Sequence, residues 1–172
     1  MSGLIKISGI QGHIAYPHLV NNPIDTLVAV CKKLKEKKLD QGNKNFQPSN
    51  LEFTSINVDN KATNVIPASA RAQFNIRFNN LHTSSSLKKK ISSIVKNISK
   101  KNKCKFRIDF HVSGESFLTK PNDTIYMAKK IIKKITKITP KFSTTGGTSD
   151  ARFIRKISPC LEFGLVNKRL TT

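Results

Sequence analysis

The sequence predicts an α/β (α+β) chain, with a ferredoxin-like β-α-β-β-α-β domain at residues 1–115 and an incomplete α/β segment at 116–172. Three observations predict this fold class. Four segments alternate apolar and polar residues, as half-buried strands do. Two further segments repeat apolar residues at helical spacing, and together they complete the β-α-β-β-α-β order at Val112. The pattern then changes to helices and a strand that has no evident sheet of its own to join.

The first strand and helix follow from residues 4–34. The run "LIKISGI" (Leu4–Ile10) alternates well enough for a strand. After a polar loop, Asn22 can cap a helix that has Pro23 at its first position. The predicted apolar stripe of this helix consists of Ile24, Leu27, Val28, Cys31 and Leu34.

The middle of the chain adds two strands, a helix and a fourth strand. Residues 51–58 and 69–78 read as strands joined by a link that contains Asn60 and Pro67. Ser84 opens a second helix, and residues 104–112 alternate as the fourth strand. The apolar face of the second helix is predicted to be Leu87, Ile91, Ile94, Val95 and Ile98.

The last part of the chain differs in pattern. A third helix is predicted from a cap near Asn122 to a stop before Pro140, and a short helix from about Asp150. The apolar run "CLEFGLV" (160–166) follows and predicts a strand. Because such a strand needs neighbours, this segment is expected to belong to an α/β domain whose other parts are not in this chain.

The net charge of +21 has two explanations. A polyanion such as RNA is one partner that it fits, and β-α-β-β-α-β is also the order of RNA-recognition motifs. However, only six of the 31 basic residues are arginine, aromatics make up 7% of the chain, and there is no tryptophan. Phe74 and Phe78 share a face with Ile76, which is typical of core rather than of a base-stacking platform. The other explanation, AT-rich coding drift toward lysine, is favoured, and nucleic acid is not expected as a partner.

Location and redox state are predicted from what the sequence lacks. No apolar run approaches the ~20 residues that span a bilayer, so no membrane partner is expected. The N-terminus has no signal-peptide pattern. Cys31, Cys104 and Cys160 are far apart and odd in number, which indicates reduced, mostly buried thiols of a cytoplasmic protein.

Several polar residues are candidates for a site, and each has an ordinary structural explanation. The run "GIQGHIAYPH" places His13 and Tyr16 in a loop, where a lone histidine is more often structural than catalytic. Asn64 in "NKATNVIP" fits a turn. Arg77 lies on the polar face of "FNIRF" and could grip a carboxylate, and Ser113 follows the fourth strand at a predicted turn.

The run "STTGGTSDARF" (143–153) is the densest polar stretch in the chain. It lacks the lysine of a phosphate-binding P-loop and the pattern of a nucleophile elbow. Its backbone N–H groups and hydroxyls, which include those at Gly147 and Thr148, lead into a helix start and Arg152. This combination favours the anchoring of a carboxylate.

Taken together, "GIQGHIAYPHLVNNP", "ATNVIP", "FNIRF", "SGESFLT" and "STTGGTSDARFI" resemble the succinyl-diaminopimelate desuccinylase family in order and spacing. That family lies in the dinuclear zinc aminoacylase and carboxypeptidase superfamily. The resemblance covers essentially the whole chain but only about the second half of the family's length. It implies a lid and dimerisation domain followed by a fragment of a zinc-exopeptidase catalytic domain. It also implies zinc-dependent hydrolysis of N-succinyl-LL-2,6-diaminopimelate, for lysine and diaminopimelate biosynthesis, by a homodimer.

The resemblance assigns a role to each candidate. His13 resembles the catalytic histidine that one subunit donates to the active site of the other, where it stabilises the oxyanion. Tyr16 and Asn64 resemble lid residues that reach the substrate across the dimer. The remaining matched residues resemble groups of the substrate pocket, most of which hold carboxylates: Arg77, Ser113, Gly147, Thr148, Arg152 and Asn167.

The departures from the family pattern concern the metal. The family's H-x-D motif and bridging acidic ligands lie upstream of anything in this chain, and Thr171 stands where its last zinc ligand, a histidine, should be. Ala151 replaces a usual glycine. The expectation is therefore a truncated gene product, a frameshifted copy or a badly bounded reading frame, inactive by itself and with no metal ligands of its own. It could be complemented by a separate N-terminal fragment, or be a non-catalytic dimerisation remnant.

Overall fold

The computed structural model describes residues 1–144 and 150–163. The chain divides into two compact units, Met1–Ser116 and Phe117–Thr172. The first unit contains the complete sheet and the candidate residues His13, Tyr16, Asn64, Arg77 and Ser113. The second unit contains Arg152.

The first unit contains six strands, two α-helices and one 3-10 turn. In chain order they are β1 (Ser2–Ser8), β2 (Gly12–His13), the 3-10 turn (Pro17–Leu19), α1 (Pro23–Glu36), β3 (Asn50–Asn57), β4 (Val65–Ile66), β5 (Ser69–Arg77), α2 (Ser84–Lys101) and β6 (Lys105–His111).

A four-stranded sheet in the order β3-β5-β1-β6 forms the centre of this unit, and every neighbouring pair is antiparallel. This is the ferredoxin-like arrangement that the sequence predicts. Ile5 of β1 lies between Ala72 of β5 and Ile108 of β6, and this register directs Ile5 and Ile7 into the interior, where both are fully buried. The predicted fold class is confirmed.

Local signals determine where the two long helices begin. Asn22 accepts a hydrogen bond from the backbone N–H of Ile24, and Pro23 occupies the first turn of α1. Thr83 caps α2 through a reciprocal pair of hydrogen bonds with Ser86. Both arrangements satisfy N–H groups that would otherwise lack partners at a helix start.

The core lies between the sheet and the two helices. Leu27, Val30 and Leu34 of α1 are buried, whereas Val28 is 57% exposed. The predicted stripe is therefore wrong at Val28 and omits Val30. The reason is geometric: positions 27, 30 and 34 follow one helical face, and position 28 lies at the margin of that face. In α2, Leu87, Ile91 and Val95 are buried as predicted, and Ile94 and Ile98 pack against the core from its edge.

The strand aromatics belong to this core. Phe74 and Ile76 are almost completely buried, and Phe78 packs against the core from its edge. Phe74 meets Phe53 and Phe110 edge to face, with ring centroids 6.3 and 6.2 Å apart. These rings are therefore committed to packing and are not presented on an open sheet face.

A buried carboxylate ties the loop after α1 to the connection between β5 and α2. Asp40 accepts hydrogen bonds from the backbone N–H of Gly42 (2.7 Å), the amide of Asn79 (2.7 Å) and the backbone N–H of Ser49 (3.2 Å). Its other oxygen lies 3.2 Å from Nε2 of His82. Burial raises the pKa of Asp40, but these hydrogen bonds outweigh it and lower the pKa to about 2.

Acidification is expected to remove stability through Asp40. Because the folded-state pKa lies below that of the unfolded chain, the stabilisation is present above pH ~4 and disappears as the pH falls toward ~2. The loss should be about 2 kcal/mol, since a shift of one pKa unit corresponds to about 1.4 kcal/mol. Urea unfolding of the chain and of Asp40→Asn across this range measures it. An equal pH slope in both proteins would contradict the assignment.

The second unit contains two described helices, α3 (Asp123–Thr136) and α4 (Ala151–Ile154). Asn122 caps α3 by accepting from the N–H of Ile125, as predicted. The predicted strand at 160–166 is not formed over residues 160–163, and its remainder lies outside the described residues. A strand needs backbone partners, and the described part of this unit contains no other strand to provide them.

The cysteines lie at different depths, and the described helices are short or polar. Cys104 is buried, whereas Cys31 and Cys160 are half-buried, and all three are free thiols. The expectation of mostly buried thiols therefore holds fully for one of them. No helix within residues 1–144 and 150–163 has the length and apolar character required to span a membrane.

Candidate functional site

A small two-stranded sheet holds the predicted histidine. Gly12 and His13 of β2 pair with Ile66 and Val65 of β4 in antiparallel register. Just beyond this pairing, the N–H of Ile14 donates to the backbone carbonyl of Asn64 at 3.1 Å. Two candidates that are 51 residues apart in sequence, His13 and Asn64, are thereby brought side by side.

The loop that carries His13 is closed at its base. Ile10 and Asn21 exchange two backbone hydrogen bonds of 3.1 and 3.2 Å, so the chain leaves and returns at one point. Gly9 makes this closure possible, because a Cβ at this position would overlap the carbonyl oxygen of Asn21. Gly9 is not among the residues selected from the sequence, although a glycine inside the strand predicted at Leu4–Ile10 is a signal of close backbone approach.

Within the loop, the imidazole of His13 is exposed and contacted on several sides. Its Nδ1 accepts a hydrogen bond from the backbone N–H of Ala15 at 3.1 Å, and its Nε2 lies 3.4 Å from Nδ2 of Asn64. The ring of Tyr16 lies 6.1 Å away between centroids and is itself 56% exposed. His13, Tyr16 and Asn64 therefore form one polar cluster that is open to a ligand or to another protein surface.

Arg77 and Ser113 lie at the opposite end of the sheet. Arg77 ends β5 opposite Asn50, whereas the His13 loop follows the other end of β1, after Ser8. The seven residues of β1 separate the two ends by roughly 20 Å, at ~3.3 Å per residue. The structure therefore does not bring the two groups of candidates in this unit into one site.

Ser113 has an acidic neighbour that the sequence analysis did not select. Glu115 accepts hydrogen bonds from the backbone N–H of Ser84 at 3.1 and 3.2 Å, at the first turn of α2. A carboxylate at a helix N-terminus is favourable because the free N–H groups and the helix dipole are positive there. This contact holds the segment that carries Ser113 against the start of α2.

The second unit presents Arg152 on α4. Its guanidinium carbon lies 4.6 Å from the ring centroid of Phe153. Its Nε is buried and has no hydrogen-bond partner among the described residues. A buried guanidinium donor of this kind is suited to a carboxylate acceptor. The other predicted residues of this region, Gly147, Thr148 and Asn167, lie outside the described residues.

The part of the chain that the structure describes contains no cluster of three or more His, Cys, Asp or Glu side chains able to hold a metal ion. The described residues therefore do not fit a metal site of their own. What they offer is hydrogen bonding and positive charge.

This fold, an antiparallel sheet with its helices on one face and an exposed polar loop at one end, matches a known class of protein module. The family described as peptidase dimerisation domain matches residues 1–103, and the chain belongs to this family. Among curated relatives, the succinyl-diaminopimelate desuccinylase of Pelagibacter ubique (strain HTCC1062) is 61% identical over 166 residues. That match covers 96% of this chain and 43% of the relative.

A second curated relative carries the same name, and solved structures share the fold. Succinyl-diaminopimelate desuccinylase of Rickettsia bellii (strain RML369-C) is 46% identical over 95% of this chain and 42% of its own length. The chain thus spans less than half of the curated relatives that it matches. The aminopeptidase PepT of Bacillus cereus ATCC 10987 (TM-score 0.70, 16% identity) covers 90% of this chain with 40% of its own. A tripeptidase of Staphylococcus aureus Mu50 (TM-score 0.71, 17% identity) has the same coverage, and both show the fold alone. None of these comparisons supports the RNA-binding alternative.

Proposed function

We propose that this chain supplies the lid domain, residues 1–115, and the C-terminal part of the catalytic domain, residues 116–172, of a succinyl-diaminopimelate desuccinylase. The reaction is the hydrolysis of N-succinyl-LL-2,6-diaminopimelate to succinate and LL-2,6-diaminopimelate, in cytoplasmic lysine and diaminopimelate biosynthesis. The observation that carries this proposal is the 61% identity to a protein of that name over nearly the whole chain.

In this proposal His13 is the catalytic residue of the chain. Hydrolysis of an amide builds negative charge on the carbonyl oxygen, and a donor aimed at that oxygen stabilises it. His13 suits this role because its imidazole is exposed while its backbone is paired on β2 and its loop is closed at Ile10 and Asn21. Tyr16 and Asn64 lie beside it and would contact the same substrate.

The remaining residues bind the substrate, mainly through its carboxylates. Arg77 and Ser113 belong to the first unit, and Gly147, Thr148, Arg152 and Asn167 to the second. The separation of roughly 20 Å between the ends of β1 supports a homodimer in which one site takes His13 from one subunit and Arg77 from the other. Membership of a peptidase dimerisation family supports the same assembly.

The metal is assigned to the part of the enzyme that this chain does not span. We propose two zinc ions, which supply Lewis-acid chemistry at the scissile amide when bound. The 172-residue chain by itself is then inactive. The portion of the relatives that this chain does not span would complete the site.

A chimera tests this function. The portion of the Pelagibacter relative outside the matched region is fused ahead of this chain, Thr171 is changed to histidine, and zinc-dependent release of succinate is measured. The chimera is expected to be active and dimeric in sedimentation, and the unfused chain inactive. Hydrolysis by the unfused chain would contradict the assignment of the metal. A folded, zinc-loaded chimera that cleaves other N-acyl amino acids but not the succinyl compound would contradict the substrate.

A further inference from the structure

The backbone N–H of Ala15 determines which ring nitrogen of neutral His13 carries the proton. Nδ1 of His13 lies 3.1 Å from the backbone nitrogen of Ala15, which can only donate. Nδ1 must therefore be the acceptor and carry no proton. In the neutral imidazole the single proton then sits on Nε2, the ring atom that projects away from its own loop.

Nε2 points at the side-chain amide of Asn64. The contact is 3.4 Å to Nδ2 of Asn64, which places two donors against each other once Nε2 is protonated. A half-turn of the amide exchanges its nitrogen for Oδ1 without a change of shape and gives Nε2–H an acceptor. The hydrogen bond from Ile14 holds the backbone of Asn64 beside the His13 loop, so the amide can turn while its backbone stays in place.

We propose that Asn64 has two roles in sequence: its amide oxygen holds the Nε2 proton of His13 in the resting protein, and it gives up that hydrogen bond when an anionic oxygen arrives. A charge-assisted hydrogen bond is about twice as strong as a neutral one, so an oxyanion displaces the amide oxygen. The amide then turns, and its Nδ2–H₂ donates to the same anion. This inference rests on the proposed function for the identity of the anion, but the resting arrangement does not.

The resting arrangement is tested in the isolated 172-residue chain. Long-range ¹H–¹⁵N NMR of the imidazoles at a pH where they are neutral distinguishes a protonated ring nitrogen from an unprotonated one. His13, identified by loss of its signals in His13→Gln, is expected as the Nε2–H form. His18, exposed in the same loop, is the internal control and is expected to show a mixture of both forms. A His13 with its proton on Nδ1, or with the same mixture as His18, overturns the proposal.

Two substitutions of Asn64 test whether its side chain holds the Nε2 proton of His13. Asn64→Ala removes the acceptor and should speed exchange of the Nε2 proton with water about five-fold, the factor that one ordinary hydrogen bond gives. Asn64→Asp keeps an acceptor and should keep exchange slow. Unchanged exchange in Asn64→Ala overturns the holding role.

The turning of the amide is tested in the active chimera. Asn64→Asp introduces a carboxylate that cannot donate and that repels an oxyanion, so this variant should lower kcat by on the order of 10²–10³, with little change in KM. Asn64→Ala should cost about ten-fold less than that. If the aspartate variant is as active as the alanine variant, the turning step is wrong. An inactive parent chimera counts against the proposed function and leaves the NMR result standing.

Discussion

His13→Ala in the active chimera is expected to lower kcat by on the order of 10²–10³, the usual cost of removing one donor to a developing oxyanion. KM should change little, because the interaction forms mainly in the transition state. Folding should also be unaffected, since the imidazole is exposed and its contacts are confined to its own loop and Asn64. Steady-state kinetics on the succinylated substrate, with circular dichroism of both proteins, measure these quantities.

Dimers that combine a His13→Ala subunit with an Arg77→Ala subunit test whether His13 serves the active site of the other subunit. Arg77→Ala should be inactive for a different reason, because that variant loses the proposed contact with a substrate carboxylate, and Arg77 lies at the other end of the sheet. If one site combines His13 of one subunit with Arg77 of the other, each mixed dimer contains one intact site. Random pairing of the two inactive variants should then recover roughly a quarter of the parent activity. No recovery, with mixed dimers demonstrated, would mean that both residues serve the same subunit's site.

Phe74→Ala is expected to lower the free energy of unfolding of the first unit by about 3–5 kcal/mol. The side chain is 1% exposed and lies between the rings of Phe53 and Phe110, so truncation removes its burial and leaves a cavity in the middle of the sheet. Phe106→Ala is the matched control, because that ring, on the edge strand β6, is 38% exposed. Urea unfolding followed by far-ultraviolet circular dichroism gives both values. Equal losses in the two variants would contradict the described core.

The fold of the first unit could be predicted because its signals are local and agree with one another. Asn22 followed by Pro23 and an apolar stripe is typical of a helix start, and β5 alternates so regularly that only one face could be buried. The predictions were wrong where burial or strand formation depends on contacts with elements that are distant in sequence. Val28 and Val30 are chemically identical, and only the packing of α1 on the sheet selects Val30 for the core. The apolar run at Cys160 needed a neighbouring strand, which the run itself cannot reveal.

The candidate site was harder to predict than the fold. His13 and Asn64 each lie in loops with ordinary turn chemistry, and only pairing between strands of two residues each brings them together. Strands that short have no alternation to recognise. Resemblance to a family therefore selected the residues, and the structure supplied their grouping, including the separation of Arg77 from His13. The contacts to His13 and Glu115 come from the backbone N–H groups of Ala15 and Ser84, and residue types alone do not predict where a backbone N–H points.

The loop of residues 10–21 is closed at its base, and this closure affects which sequence changes the protein can tolerate in evolution. Because the chain enters and leaves this loop through one backbone bridge, substitutions inside it alter the surface around His13 without disturbing the buried sheet. Extra residues there cost little, since the entropy of loop closure grows slowly with length. The surface around His13 can therefore change in sequence while the core retains its own sequence requirements. Gly9, next to the bridge, is constrained by the loop as well as by the strand, because a Cβ there would overlap the carbonyl oxygen of Asn21.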